Sequence, residues 1–405
     1  MSPRGGFVAL IGADILSSLG SQISLVAIPW LVLTTTGSPT DMGFAAAAEM
    51  VPYLLSSMLL TPVADWFGLR ASSVACDLLS AVAVGAIATF RHSGLGLLLV
   101  LIGIAGALRG VGDRTKHVLL RSAALTARYS MIRVTSLYEG LVRLATLLGA
   151  PLGGLLIVWL GARGAVGVDA ATFGCCALVV ATLVASKPVE PDAEPAVREP
   201  YLLALQGGFR YLRGDRVLTS MLGTVFVINI FGNAATLVFI PVWARDVLHS
   251  PEALGLTLGS YAAGALLGTL AFTVLAERLP QYQTFLLGAL VSCAPRLLAL
   301  GVSHSLALVM AVSVLAGLGI ASVNPILGAA MYERVPDALQ TRVIGLCTTV
   351  SFTGIPIGAL VGGWAVSRFG LQHTLLVAAA TCLVVNLVPL LRQRRISLTA
   401  PVAQS

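Results

Sequence analysis

The chain has 405 residues, of which 57% are hydrophobic and only 11% are charged. A soluble domain normally carries about 25% charged residues, so this chain has too few charges to cover a water-facing surface of its size. The composition excludes a soluble enzyme, a coiled coil and a disordered polymer, and it predicts an all-α membrane protein. The formal net charge of +7 does not indicate nucleic-acid binding, because the basic residues fall in short loops between apolar stretches.

Apolar stretches of about 20 residues, the length that crosses a bilayer, recur along the whole chain. The first begins near the N-terminus without an evident cleavage site, so we interpret it as a spanning helix rather than a signal peptide. Twelve such stretches are predicted, at 7–33, 42–63, 71–90, 95–115, 134–158, 165–186, 217–244, 253–275, 284–302, 306–330, 343–366 and 371–391.

The basic residues are distributed unequally between the loops that alternate along these spans. If both termini lie on one side, that side holds 18 Lys and Arg residues, including the group of five from Arg114 to Arg133, and the opposite side holds four. The positive-inside rule then places both termini in the cytoplasm. We therefore expect a multi-pass protein of the bacterial inner or plasma membrane with an even number of spans.

One stretch differs in composition from everything around it. Residues 187–195 are rich in Pro and acidic residues, and residues 201–213 alternate apolar with basic side chains. We expect an extended linker followed by an amphipathic helix on the cytoplasmic face of the membrane. The segment 187–216 is therefore predicted to connect two six-helix bundles, at 1–186 and at 217–405.

The two predicted bundles share two sets of residues in the same order. At an offset of 212, the matching residues are Ile28, Pro29, Ser38, Pro39 and Gly43 with Ile240, Pro241, Ser250, Pro251 and Gly255. At an offset of 205, they are Gly149, Pro151, Gly153, Leu155, Trp159 and Arg163 with Gly354, Pro356, Gly358, Leu360, Trp364 and Arg368. The matches predict two parallel six-helix repeats, an arrangement that places a substrate site near the bilayer midplane and permits alternating access.

The loop between spans 2 and 3 carries a recognisable pattern. It reads Thr61-Pro62-Val63-Ala64-Asp65-Trp66-Phe67-Gly68-Leu69-Arg70. This resembles the motif G-x-x-x-D-R-x-G-R-R of the major facilitator superfamily, of which Asp65, Gly68 and Arg70 retain the acid, the glycine and the last base. Further stretches are similar to the drug:proton antiporter branch and its Tap-type multidrug exporters, at 27–33, 36–39, 138–139, 149–156, 335–337 and 342–343. The resemblance implies a twelve-helix secondary transporter.

Charged side chains within a bilayer are costly, so each one is a functional candidate. Asp14, Glu49 and Glu139 fall in predicted spans of the N-terminal bundle, and we assign them to proton coupling together with the bases Arg109 and Arg143. Glu139 and Arg143 share a helix face, either as a neutralised structural pair or as a carboxyl whose proton affinity depends on that base. Asp14 has an alternative role as a partner of Arg109. Glu49 has no base near it in sequence and is expected to be unpaired and protonated at rest, unless it simply lies on a solvated cavity face.

Two further groups complete the predicted site. By resemblance, gating on the cytoplasmic side is assigned to Asp65, Gly68, Arg70, Asp77 and Asp113, with ordinary loop charges as the alternative. A mixed polar and aromatic substrate wall is assigned to Gln22, Trp30, Phe226, Asn229, Asn233 and Asn324. Hydrogen bonds between helices and anchoring at the membrane interface are the alternatives for these side chains.

The C-terminal bundle carries Arg296 within a span but no acid within a span, which places proton coupling in the N-terminal bundle. The sequence has no G-x-x-x-x-G-K-[ST] motif and no metal-ligand spacing among its six cysteines, so we expect no cofactor and no enzymatic activity. The predicted function is export of hydrophobic or cationic drugs or metabolites by proton antiport. The alternatives are a siderophore or metabolite exporter, an importer of the same fold, and a non-transporting receptor or scaffold. The expected partners are a small-molecule substrate, protons and the lipid bilayer, without nucleic acid, and the protein is expected to be a monomer.

Overall fold

The structure, a computed structural model, describes residues 3–59, 68–90, 94–126, 131–184 and 209–391. All secondary-structure elements of these residues are helical. The first helices are α1 (Pro3–Thr36), α2 (Pro39–Leu59), α3 (Leu69–Thr89), α4 (Leu95–Thr126) and α5 (Met131–Leu183). They are followed by α6 (Arg216–Ala234), a π-helical turn (Ala235–Phe239), α7 (Ile240–Asp246), α8 (Pro251–Leu275), a 3₁₀ turn (Ala276–Arg278), α9 (Gln281–Val302), α10 (Leu306–Arg334), α11 (Asp337–Phe369) and α12 (Leu371–Leu391).

Within the described residues, ten helical regions are long and apolar enough to cross a membrane. This confirms a multi-pass helical membrane protein. One of the ten regions is 140–183 in α5, where Gly161 (φ 73°, ψ 166°) interrupts the helical backbone and kinks the chain. Two predicted spans fall on this one helix, and α2 is not among the ten regions. The number of twelve spans stays a prediction.

The chain divides into two compact units. Unit 1 comprises Met1–Asp192 and Ala244–Gly259, and unit 2 comprises Ala193–Trp243 and Ser260–Ser405. In unit 1, α1 packs along α5, α2 packs along α4, and α3 contacts both α4 and α5. In unit 2, α6 packs along α11, and α9 packs against α10 and α12. These pairings bring residues that are distant in sequence onto shared helix interfaces.

Glycines allow close contacts between helices in each unit. A Cβ atom added to Gly153 of α5 would lie 3.1 Å from Cβ of Val26 in α1. A Cβ atom added to Gly358 of α11 would lie 2.0 Å from the backbone oxygen of Ile230 in α6. The two glycines are corresponding members of the repeated G-x-P-x-G pattern. Small-residue packing of the kind common between membrane helices therefore occurs at matching sequence positions in both units.

The start of α6 is held by Asp215. Its carboxylate accepts hydrogen bonds from two backbone N–H groups of the first turn, at 2.9 and 3.1 Å, and it lies 2.7 Å from Nε of Arg334. It thus caps α6 and ties it to the end of α10. Residues 209–214 before it are helical. The remainder of the predicted linker, including the first part of the amphipathic helix at 201–208, lies outside the described residues.

The contact between Gly358 and the backbone of Ile230 generates a stability prediction. Gly358→Ala is expected to lower the free energy of unfolding by about 1–3 kcal/mol, because the new methyl group would collide with a backbone oxygen that cannot move away easily. Gly345→Ala is a matched control in the same helix, where an added Cβ meets nothing within 4 Å. This control is expected to be neutral or to stabilise the helix by up to about 1 kcal/mol. Thermal unfolding of both variants in detergent tests the pair, and equal melting temperatures would contradict the packing described.

Candidate functional site

Four helices of unit 1 meet at a buried lysine. Lys116 of α4 is 3% exposed, and its Nζ lies 2.8 Å from Oδ1 of Asp77 in α3 and 3.6 Å from Oδ1 of Asp14 in α1. The hydroxyl of Tyr138 in α5 donates a hydrogen bond of 2.7 Å to Oδ2 of Asp14. We call these four residues the Lys116 cluster. It contains two carboxyl groups and one base.

A second group of charged residues in unit 1 surrounds Arg109. Nη1 of Arg109 in α4 lies 2.5 Å from Oε1 of Glu49 in α2. Asp169 of α5 is 1% exposed and accepts a 2.5 Å hydrogen bond from the Ser24 hydroxyl and a longer one from Thr172. Arg109 interacts electrostatically with both of these carboxyl groups and with Asp113 of its own helix. We call Arg109, Glu49 and Asp169 the Arg109 cluster.

The structure corrects two expectations about these acids. The prediction that Glu49 is unpaired is wrong, because α2 packs along α4 and brings Arg109 to it across 60 positions of sequence. Gly106 permits this approach, since a Cβ there would lie 2.2 Å from the backbone oxygen of Glu49. The alternative partnership of Asp14 with Arg109 is also wrong, because Asp14 pairs with Lys116 instead.

Lys116 and Asp169 were not among the predicted site residues. Lys116 was counted as a loop cation, but α4 continues to Thr126 and carries it into the helix packing. A usable signal was present, because Arg109, Asp113 and Lys116 recur at the spacing of one helix face. Asp169 falls near one end of the predicted span 165–186, and nothing in its sequence neighbourhood indicates the Ser24 contact from α1.

The predicted gating residues have separate partners. Arg70 donates from Nε to the Val180 carbonyl at 3.3 Å and also donates to the Ala181 carbonyl, so its cation lies at the C-terminal end of α5. This is the favourable position for a cation on a helix dipole. Gly68 precedes α3 with φ 83°, a backbone conformation that favours glycine. Asp65 lies outside the described residues, so a pair between Asp65 and Arg70 stays a prediction.

The other two gating candidates lie close to the charge clusters. Asp77 belongs to the Lys116 cluster, and the pairing with Lys116 shows that it does not act as a loop charge. Asp113 accepts a 3.3 Å hydrogen bond from the Tyr53 hydroxyl of α2. Arg143 is an exposed residue of α5, whereas the side chain of Glu139 lies outside the described residues. The Glu139–Arg143 pair therefore stays a prediction.

Three of the predicted substrate residues lie together in unit 2. Asn229, Asn233 and Asn324 line a cavity of about 180 Å³ together with Tyr261 and Arg296. Asn233 donates to the Asn229 carbonyl at 2.9 Å, and Asn229 donates to the backbone of α11 at 2.9 Å. Asn229 thus combines the helix-to-helix hydrogen bond and the cavity-lining role that sequence left as alternatives, whereas the hydrogen bond of Asn233 lies within α6.

The remaining predicted substrate residues lie elsewhere. Gln22 belongs to α1 in unit 1, where its Cβ would be 2.4 Å from a Cβ on Gly149, so part of this side chain contributes to helix packing. Trp30 is buried in the same helix. Phe226 is partly buried in α6 and is not among the described residues that line the cavity, whereas Phe231 is.

The Lys116 cluster generates a second stability prediction. Lys116→Met is expected to lower the free energy of unfolding by about 3–5 kcal/mol, because it leaves two buried carboxyl groups without their cation. The double variant Lys116→Met, Asp77→Asn is expected to recover a large part of this loss, because one orphaned charge is removed as well. Arg114→Met is the control, since Arg114 is an exposed base of the same helix. Thermal unfolding in detergent measures all three, and a double variant no more stable than Lys116→Met would contradict the pairing.

Comparisons with known proteins agree with this architecture. Relatives with similar sequences include the multidrug efflux pump Tap of Mycobacterium tuberculosis, 28% identical over 402 residues and covering 97% of this chain and 95% of that protein. The Tap pump of Mycolicibacterium fortuitum is 26% identical over 395 residues, covering 95% of both chains. The enterobactin exporter EntS of Shigella flexneri is 28% identical over 251 residues, covering 61% of this chain and 57% of that protein.

Solved transporter structures share the fold. The nucleoside transporter NupG has a TM-score of 0.75 at 13% identity, covering 96% of this chain and 100% of that one. A bacterial homologue of the human lysosomal transporter Spinster, inward-facing and unoccupied, has a TM-score of 0.70 at 16% identity, covering 96% and 95%. The pattern of the transmembrane secretion effector family matches residues 4–399. The chain therefore belongs to this family of the major facilitator superfamily, whose members are transporters and not enzymes.

Proposed function

We propose that this protein exports hydrophobic or cationic drugs and metabolites from a bacterial cell by alternating access, in exchange for protons. The names of the Tap relatives, which match almost the whole chain, support efflux. The observation that carries the proton coupling is the Arg109 cluster, which places two carboxyl groups and one guanidinium among membrane-spanning helices.

Charge balance explains how this cluster could exchange a proton. Arg109 compensates one carboxylate, and a second negative charge buried nearby would cost several kcal/mol without a counter-ion. One bound proton relieves this cost. Asp169 is the carboxyl that takes it in this proposal, because the side chains hydrogen-bonded to it are hydroxyls, whereas Glu49 contacts the guanidinium directly. The proton nevertheless belongs to the coupled cluster rather than to a single residue.

Loss of that proton links transport to conformation. The deprotonated cluster carries an excess negative charge, which a cationic substrate or access to water can compensate. The protonated cluster and the substrate-bound cluster favour different conformations of the protein in this proposal. A ligand shifts a conformational equilibrium only by its differential affinity for the two conformations. Proton and substrate binding are then mutually unfavourable, which is the thermodynamic requirement for antiport.

The Lys116 cluster is the second candidate for proton exchange. It also holds two carboxyl groups against one base, and its members come from four different helices. A rearrangement of any of these helices would change its charge balance. Asp14 retains its proposed coupling role through this cluster. The Glu139–Arg143 pair, which lies on the same helix as Tyr138, is proposed to alter the proton affinity of the cluster.

We further propose twelve spans in two parallel six-helix repeats, with both termini in the cytoplasm. The 44-residue region 140–183 would extend ~66 Å as a straight helix, about twice the hydrocarbon thickness of a bilayer. Its kink at Gly161 allows it to cross twice. Gly370 has a similar backbone conformation (φ 81°, ψ 161°) where α11 ends and α12 begins. Counting the region 140–183 as two spans and adding α2, which has 21 residues, to the ten apolar regions gives twelve spans.

A second candidate substrate class is favoured by one observation. The similarity to the enterobactin exporter EntS extends over 61% of the chain, which supports export of a siderophore or another secreted metabolite. The polar amides of the unit 2 cavity suit a ligand with several hydrogen-bonding groups.

The coupling proposal predicts the behaviour of two neutralised variants. Glu49→Gln and Asp169→Asn are each expected to slow export driven by a pH gradient by about tenfold or more, a rise in the barrier of at least ~1.4 kcal/mol. Movement of the substrate dye ethidium down its own concentration gradient should continue, because this movement needs no proton. The measurement is uptake of ethidium into everted membrane vesicles with an imposed pH gradient.

The control is Glu277→Gln, which neutralises an exposed carboxylate in the 3₁₀ turn after α8 and should pump like the wild type. Wild-type rates in both test variants would contradict the coupling assignment. An importer would move ethidium in the opposite direction, and a scaffold would move none.

A further inference from the structure

The cavity in unit 2 is lined by a buried cation that forms no ion pair with any residue the structure describes. Arg296 of α9 is 3% exposed and lines the cavity. Its Cζ lies 4.5 Å from the ring centroid of Tyr261 in α8, so the ring covers one face of the guanidinium. Nε and Nη2, the two nitrogens that form one edge of the group, have no hydrogen-bond partner in the part of the chain that the structure describes.

The helices around the cavity provide no counter-ion in their central parts. The sequences of α6 and α9 contain no Asp or Glu. In α8 and α10 the acids are Glu252 in the first turn and Glu333 in the last turn. A cation–π contact offsets part of the desolvation of a guanidinium, but it does not satisfy its N–H donors. Among the described residues, the guanidinium of Arg296 therefore lacks both a counter-ion and acceptors for Nε and Nη2.

We propose that this cavity binds a carboxylate group of the transported substrate, with Arg296 as its counter-ion. The inference rests on the proposed export function and specifies acidic metabolites as a substrate class besides the hydrophobic and cationic drugs. A guanidinium edge of two N–H donors matches the two oxygens of a carboxylate, and such bidentate pairs are among the strongest hydrogen-bonded contacts in proteins. The pair would remove the orphaned charge and both orphaned donors at once.

The remaining lining indicates an organic anion rather than an inorganic one. Apolar side chains line the same space, namely Val225, Ile228, Leu297, Ile320 and Val323. The volume of about 180 Å³ is smaller than the roughly 300–1,000 Å³ of pockets for whole drug-sized ligands. The cavity thus fits the acidic end of an amphiphilic molecule, with the carboxylate at Arg296 and hydrocarbon against the aliphatic residues.

A matched pair of probes isolates the charge of the ligand. 1-Naphthoate and 1-naphthamide have nearly the same shape, and only the first carries a carboxylate. Calorimetric titration of the purified full-length protein is expected to give about tenfold tighter binding of naphthoate, the effect of one charge-assisted hydrogen bond. Arg296→Gln should abolish this preference, and Arg296→Lys should retain part of it, because Lys keeps the charge but not the planar edge.

Two controls separate a binding site from a structural role. Arg278→Gln makes the same chemical change at an exposed base of unit 2 and should keep the naphthoate preference. Arg296→Met should raise the melting temperature of the ligand-free protein, because it removes a buried cation that lacks a counter-ion. A large fall in melting temperature would identify Arg296 as a structural residue and would overturn the proposal.

Three other results would also overturn it. They are equal binding of the two probes to the wild type, a preference that survives Arg296→Gln, and displacement of naphthoate by chloride at equal concentration, which would indicate an inorganic-anion site. These measurements need no transport. Failure of ethidium export would therefore contradict the proposed function while leaving the carboxylate site open to test by binding.

Discussion

Burying a charge away from water costs several kcal/mol unless an opposite charge compensates it, and membrane-spanning helices impose this cost over most of their length. Unit 1 meets the requirement by gathering its buried acids around two bases of α4, Arg109 and Lys116. In each cluster the acids outnumber the base, and this excess is the basis of the proton exchange proposed above. The helix packing holds this imbalance in place, because each cluster draws its members from at least three helices.

The buried charged residues of unit 2 are arranged differently. Asp215 and Arg334 neutralise each other at the ends of two helices, where Asp215 also caps α6. Arg296 has no such partner among the described residues and lies beside a cavity. A sequence repeat therefore does not imply a chemical repeat. The shared glycine pattern gives similar close helix contacts in both units. Among the described residues, however, the buried charged side chains of unit 1 are mostly acidic, whereas those of unit 2 include the unpaired cation of Arg296.

How much of this could be predicted from sequence depends on the range of the interaction. Hydropathy and composition act locally, and they predicted the multi-pass helical fold that the ten apolar regions confirm. The family resemblance, too, followed from contiguous motifs. The partner of Glu49 could not be predicted, because it depends on the packing of α2 along α4 and on Gly106 at the contact. Lys116 was missed for a related reason, since a count of loop charges treats every base beyond a span as solvated.

The central claim is that the Arg109 cluster carries an exchangeable proton, and infrared difference spectroscopy of the carboxyl C=O stretch measures this most directly. The protein in membranes is compared between acidic and alkaline buffer, with and without ethidium. The account predicts a protonated-carboxyl band in acid that is lost at alkaline pH and on substrate binding, and that is absent or shifted in Asp169→Asn and Glu49→Gln. A band that is unchanged in both variants, or carboxylates that stay ionised throughout while transport follows the pH gradient, would contradict it.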